Sequence, residues 1–302
     1  MTRFLQDFLV RQISQLWDFE AIALAQKIQY VPILAPLSPQ PISTAMARQN
    51  SGKIPVLLLH GFDSSLLEFY RLFPCLVARL SENYQIWSID LLGFGFTERK
   101  PDLNYTPDTI KAHLYAFWKV LIQQPMILLG VSMGGATAID FALTYPEAVS
   151  QLILVNSVGY SGSFSWGKLL LPPVDALAVE FWKQRKLQAL NWGKFFGMSG
   201  AESTALQSVS LHLEIPGWAE AMIAFTKSGG YFDLSQKIAR ITQPTLILWG
   251  DTDEMLGTKD AWKFQRDISN SQLFWIPNGG HTPHLKYPEY VARLISKFLD
   301  RN

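Results

Sequence analysis

The stretch MILLGVSMGGATAIDFA (126–142) runs from an apolar segment into a knot of glycine, serine and methionine, then back into apolar sequence. Three readings compete for Ser132. A phosphate-binding loop also joins a strand to a helix. Its dinucleotide form, however, needs glycine where Ser132 stands, and its P-loop form needs Gly-Lys-Ser/Thr, which is absent. A helix N-cap serine is the plainest reading, but it leaves the glycines on either side, Gly130 and Gly134, without a reason. A nucleophile elbow accounts for all three: the serine sits on a strained strand-to-helix turn, and the glycines remove side chains that would collide there.

Around this stretch, apolar runs recur and end in turns: IPVLLLHG (54–61), YQIWSIDLLG (84–93), PMILLGVS (125–132), QLILVNSVG (151–159), PTLILWGD (244–251) and SQLFWIPNGG (271–280). Continuous rather than alternating hydrophobicity predicts strands buried on both faces. Between them, SLLEFYRLFPCLVARLS and TPDTIKAHLYAFWKVLIQQ carry apolar residues three and four apart, the helical period. The alternation predicts an α/β fold, a mostly parallel sheet with helices on both faces. KIQYVPIL and ISTAMARQ, joined by APLSPQP, add two antiparallel edge strands. Between 160 and 240 the alternation gives way to helical patterning, so this segment is expected to be a helical cap inserted into a core formed by 27–159 and 241–302.

A serine hydroxyl is a poor nucleophile at neutral pH and needs a base that is itself held by an acid. Of five histidines, His113 and His212 lie in helical patterns and read as structural. His60 ends a strand. His281 and His284 follow the last strand, at the sheet edge where open α/β sheets bind ligands. His281, after two glycines, is the better base, and His284 reads as a packing residue. The acid should precede the histidine in the chain. LILWGDTDEML offers Asp251, Asp253 and Glu254. Asp253 is far enough past the strand to turn back, whereas Asp251 reads as a loop cap. The other acid position used in such arrangements, after the preceding strand, reads LVNSVG, and Asn156 cannot carry the charge.

These segments resemble the α/β-hydrolase superfamily across roughly 27–300: HGF (60–62), DLLGFGFTE (90–98), GVSMGGATA (130–138), WGDTD (249–253) and GGHTPHLKYPE (279–289), in the order Ser, Asp, His. HGFDSSLLEF and TKSGGYF further resemble a branch of uncharacterised hydrolases from cyanobacteria and plastids. The resemblance implies Ser132 as nucleophile, His281 as general base and acid, Asp253 as orienting carboxylate, and the backbone N–H groups of Phe62 and Met133 as an oxyanion hole shaped by His60 and Gly61. It disfavours relatives that use an aspartate nucleophile. Val131, where C–C bond hydrolases often carry asparagine, lowers that reading.

Bulk properties set the remaining limits. At 302 residues, 48% hydrophobic and 17% charged, the chain can bury a sizeable core. A net charge of +1 gives no basic face for nucleic acid. Cys75 is the only cysteine and reads as a core thiol. No His/Cys/Asp cluster has zinc-ligand spacing, and no cofactor is implied. The first 26 residues do not read as a signal peptide, because Asp7, Arg11, Asp18 and Glu20 interrupt each apolar run. Leu5, Phe8, Leu9, Ile13 and Leu16 share one helical face. That face suits packing on the protein's own body, with peripheral membrane contact through 1–20 as the alternative. Trp166, Trp182 and Trp218 are candidate walls of an apolar pocket. The sequence thus points to a cytoplasmic serine hydrolase of an apolar carboxylic ester or related acyl compound. C–C hydrolysis and acyl transfer are alternatives within the enzyme class, and a ligand receptor retaining the triad is the rival outside it.

Overall fold

The computed structural model describes residues 2–80, 82–162, 164–196, 200–231 and 234–301, without the side chains at 2, 165, 166, 192–196 and 200–203. Two helices open the chain, α1 (Thr2–Ile13) and α2 (Phe19–Ala25), followed by strands β1 (Gln29–Ile33), β2 (Ile42–Gln49) and β3 (Ile54–Leu59). Then come α3 (Leu72–Arg79), β4 (Tyr84–Ile89), α4 (Pro107–Phe117), β5 (Met126–Val131), α5 (Met133–Thr144) and β6 (Val149–Val155). The chain next leaves the sheet for α6 (Val174–Phe196), α7 (Gly200–Ser208) and α8 (Trp218–Ser228). It returns through β7 (Thr245–Gly250), α9 (Lys259–Asp267), β8 (Ser271–Ile276), α10 (Pro283–Lys286) and α11 (Pro288–Leu299).

The eight strands form one sheet in the order β1-β2-β4-β3-β5-β6-β7-β8. β1 and β2 pair antiparallel, as does β2 with β4, and all other pairs are parallel. The period-2 geometry of a strand explains the unbroken apolar runs. In β3, Leu57 and Leu59 join the core on one side of the sheet while Val56 and Leu58 join the core on the other. α4, α5 and α9 cover the first side, through residues such as Phe117, Ile139 and Phe264. α1, α2, α3 and α11 cover the second, through Phe8, Leu24, Leu76 and Ile295.

The apolar face of the N-terminal segment turns inward. Leu5, Phe8, Leu9 and Leu16 are buried, and the Tyr30 hydroxyl donates to the Leu5 carbonyl at 3.2 Å. Among the described residues, no helix is long and apolar enough to cross a membrane.

β5 runs into α5 without a loop, and this junction sits at the carboxyl edge of the sheet. A Cβ on Gly134 would lie 2.1 Å from the Leu59 carbonyl oxygen, and one on Gly130 would lie 2.2 Å from that of Gly134. Both obstacles are backbone, which cannot rotate away. Gly134→Ala is therefore expected to destabilise the fold by about 1–3 kcal/mol, the usual cost of overpacking. Denaturant unfolding of wild type and variant checks this, and an unchanged midpoint would show that β3 and α5 are not held this close.

Candidate active site

The junction holds Ser132 in a conformation few non-glycine residues adopt, φ +50° and ψ −117°. Such backbone costs on the order of 1–3 kcal/mol and persists only where the surroundings impose it. Here the Ser132 N–H donates to the Val155 carbonyl at 3.0 Å, and the Ser132 carbonyl accepts from Gly135 and Val158, each at 3.0 Å. The serine is thus pinned between β6 and the first turn of α5, with its side chain left outside both.

His281 reaches it from the loop after β8. This loop turns through Asn278 and Gly280, both at positive φ, and is tied to the loop after β7. The Asn278 N–H donates to Asp251 Oδ1 at 2.7 Å, and that of Gly280 to Thr252 Oγ1 at 3.1 Å. A Cβ on Gly250 would lie 2.0 Å from the Gly280 carbonyl oxygen, so glycine at the end of β7 lets the two loops meet. His281 Nε2 lies 3.1 Å from Ser132 Oγ. His281 Nδ1 lies 3.1 and 3.0 Å from the two carboxylate oxygens of Asp253. An imidazole between a carboxylate and a hydroxyl carries its proton on Nδ1 and leaves Nε2 as the acceptor for the serine.

Asp253 is buried. Burial alone would raise its pKa, but bonds from His281 and Asn156 outweigh it and hold the carboxyl below its ordinary value. Asn156 Nδ2 donates to Asp253 Oδ2 at 2.7 Å, and Asn156 Oδ1 accepts from the Gly250 N–H at 3.2 Å. The Met255 and Leu256 N–H groups reach Asp253 Oδ1 at 2.9 and 3.1 Å. The sequence offered Asn156 only as a site where the acid is missing. In the fold it is a hydrogen-bond partner of Asp253.

Gly61, Phe62 and Met133 line the same cavity as Ser132. His60 shapes this loop. Its Nδ1 donates to the Gly61 carbonyl at 2.8 Å, and its Nε2 accepts from the Leu91 N–H at 3.1 Å. Burial lowers its pKa, so the ring is a neutral strut. Glu68 is a second anchor that no sequence signal marked. Its Oε2 accepts from the Gly61 N–H at 2.8 Å, and its Oε1 lies 3.3 Å from Nε2 of the buried His284. Against the cost of burial, His284 and the Gly61 N–H bring the Glu68 carboxyl down to about 2.

These groups open onto a cavity of about 850 Å³ whose walls are mainly apolar. The helical segment between β6 and β7 supplies Phe164, Val179, Trp182, Val209, Met222 and Phe225 to it. Of the candidate wall residues, Trp182 lines the cavity. Trp218 corrects its expectation: it is buried behind the wall, not in it, because its indole N–H bonds to the buried Asp63 carboxylate at 2.8 Å. The side chain of Trp166 lies outside the described residues. Lys186, in the basic string KQRK (183–186), turns inward to Asp63 at 2.9 Å, and its side chain is only 13% exposed. His113 is a packing residue bonded to Thr44 Oγ1 at 2.9 Å. Among the described residues, no group of three or more His, Cys, Asp or Glu is placed to hold a metal ion.

Residues 56–294 match the model of the alpha/beta hydrolase family. The chain belongs to that family. It is 34% identical over 298 residues to the alpha/beta hydrolase domain-containing protein VTE7 of Arabidopsis thaliana, covering 96% of this chain and 89% of that one. It is 27% identical over 248 residues to 2-hydroxy-6-oxo-6-(2'-aminophenyl)hexa-2,4-dienoic acid hydrolase of Metapseudomonas resinovorans, covering 82% and 84%. In fold it is similar to a thermophilic esterase from Thermogutta terrifontis, with a TM-score of 0.73 at 22% identity over 90% of this chain and 98% of that one.

Asn156→Ala is expected to leave Ser132 and His281 in place while removing one donor to Asp253. Turnover should fall by about tenfold or more, short of the ~10⁴-fold loss that follows when a carboxylate of this kind becomes an amide. Steady-state rates of Asn156→Ala and Asp253→Asn, compared with wild type, check the order. Equal losses would mean that Asn156 is as necessary as the charge itself.

Proposed function

We propose that the protein is a serine hydrolase that cleaves a carboxylic ester or related acyl compound with a large apolar group. The observation that carries this reading is the run of contacts from Asp253 through His281 to Ser132, ending at an apolar cavity. Ser132 Oγ attacks the acyl carbon and passes its proton to His281 Nε2. The oxyanion of the tetrahedral intermediate takes hydrogen bonds from the N–H groups of Phe62 and Met133, and each such donor is worth about 2.7–4 kcal/mol in the transition state. Collapse breaks the bond to the alkoxide, which leaves with the His281 proton. Water, deprotonated by the same nitrogen, then attacks the acyl-Ser132 ester and releases the acid. Asp253 keeps the imidazole in the tautomer this requires.

The helical segment at 160–240 serves as a cap that holds the apolar part of the substrate. C–C hydrolysis is the second reading, favoured by the relative named as a dienoic acid hydrolase. A substrate of that kind carries a carboxylate. Lys186 and Lys227 line the cavity, but both are already paired, with Asp63 and Asp175 at 2.9 Å each, so among the described lining residues an acidic substrate would meet no spare lysine or arginine. An uncharged ester suits the walls better.

Ser132→Ala and His281→Ala are each expected to lower kcat by about 10⁴–10⁶-fold with the fold intact, and the double variant should lose little more, because the groups act as a unit. Asp253→Asn should be far more damaging than Asp251→Asn, whose side chain only caps Asn278. Most activity surviving in Ser132→Ala would overturn the mechanism.

Chain length tests the cavity. Each buried methylene contributes about 0.8 kcal/mol, roughly fourfold. On p-nitrophenyl esters, kcat/KM should therefore rise from C2 to C8 and level off where the cavity ends. A strong preference for acetyl esters would contradict an apolar substrate. A single turnover followed by a stable adduct would indicate a receptor rather than an enzyme.

A further inference from the structure

Asp63 is a buried carboxylate that the proposed mechanism does not use. It follows Phe62 in the loop after β3, has a backbone φ of +48°, and its side chain is 1% exposed. Its two oxygens accept four hydrogen bonds. Oδ1 takes the indole N–H of Trp218 at 2.8 Å and Nε2 of His212 at 3.1 Å. Oδ2 takes the indole N–H of Trp182 and the Lys186 ammonium, each at 2.9 Å. Lys186 also bonds the Asp63 carbonyl at 2.5 Å. All four partners come from the helical segment between β6 and β7: Trp182 and Lys186 from α6, His212 from the turn Leu211–Glu214, and Trp218 from the start of α8. The Phe62 ring continues the same joint. It packs on Phe164 and Phe225 of that segment at 4.7 and 5.7 Å, and on Phe94 of the core at 5.9 Å.

We infer that Asp63 is a positioning residue: it fastens the helical segment to the loop that carries the Phe62 N–H, so that the seating of that segment sets the direction of this oxyanion donor. This rests on the reading of the protein as a serine hydrolase with Phe62 in its oxyanion hole. Two features favour this over simple docking of a cap. A buried carboxylate is costly unless fully paired, and here the four described donors to its oxygens all lie on the other structural unit. The joint is also covalently adjacent to the donor, one peptide away. A shift of the segment must therefore either break four bonds at Asp63 or move the loop with it, and an oxyanion donor is effective only within a few tenths of an ångström of its proper place.

The test weakens the joint from its far side. Trp218→Phe keeps a buried ring behind the cavity wall but deletes one N–H. His212→Leu deletes another, and His212→Gln restores a donor at a similar position. The probe is a small alkyl fluorophosphonate, whose reaction at Ser132 needs the nucleophile and the oxyanion hole but too little volume to fill the cavity. The rate of Ser132 labelling is read by intact mass, with thermal unfolding recorded for each variant. Trp218→Phe and His212→Leu are expected to label about tenfold more slowly than wild type, short of the ~10²–10³ lost when an oxyanion donor is removed outright. His212→Gln should recover most of the rate. The pH dependence of labelling should keep its midpoint, since His281 and Asp253 are untouched. Wild-type labelling rates in Trp218→Phe and His212→Leu would overturn the inference while leaving the serine hydrolase standing. So would equal slowing in His212→Leu and His212→Gln in step with lost stability, which is what a merely structural role gives. Failure of wild type to label at Ser132 would overturn the hydrolase reading, and the inference with it.

Discussion

Ser132 stands in a backbone conformation that costs energy, where a central strand becomes a helix with no intervening loop. Four backbone hydrogen bonds hold it there, one to β6, two from the first turn of α5 and one from the segment just after β6. The arrangement tolerates no side chain at Gly130 or Gly134, whose missing Cβ atoms would strike carbonyl oxygens. The strain and the close packing have one consequence. The serine side chain cannot enter the helix, the sheet or a cap hydrogen bond, so it is presented at the sheet edge. The loops after β3, β7 and β8 end at that edge, and what they carry becomes the serine's surroundings.

The surrounding groups share a design. Buried carboxylates tie several of the loops around the site to groups on other elements. Asp253 ties the loop after β7 to His281 and, through Asn156, to the end of β6. Glu68 ties Gly61 and lies beside His284. Asp63 ties the same loop to the helical segment above the cavity. Asp90 crosslinks the next loop by accepting from the Leu66 and Phe96 N–H groups at 2.5 and 2.6 Å, and burial pushes its carboxyl up to about 7. Buried charges contribute little net stability, but they are demanding about geometry. Loops tied in this way keep their register around Ser132 more strictly than apolar contacts, which slide, would allow.

The parts of the molecule that follow from local chemistry were legible in the sequence. Apolar runs gave the strands, because β3 and β5 are buried on both faces, and KIQYVPIL and ISTAMARQ paired antiparallel at the edge. The glycine pattern around Ser132 gave the turn, because the collisions that require it lie within a few residues or on the neighbouring strand. The meeting of Ser132, His281 and Asp253 was legible because strand ends collect at one edge. What escaped were partnerships decided by three-dimensional packing. Lys186 sits in KQRK, a string that looks solvated, yet its ammonium reaches a carboxylate 123 positions earlier. Trp218 has the composition of a pocket wall, but its N–H needed an acceptor that the sequence does not reveal. Asn156 was noticed for the charge it lacks, and its hydrogen bond to Asp253 depends on how β6 and β7 lie side by side.

The covalent intermediate is the most direct point of test. An activated ester such as p-nitrophenyl octanoate makes acylation fast, so the acyl-enzyme accumulates before water removes it. Rapid acid quenching during turnover, followed by intact-mass and peptide analysis, should find one octanoyl group, on Ser132. The group should be absent from Ser132→Ala and should decay at the rate of turnover when substrate is exhausted. Sustained hydrolysis with no ester on Ser132 at any quench time, or with the group on another residue, would contradict a nucleophilic serine at this turn.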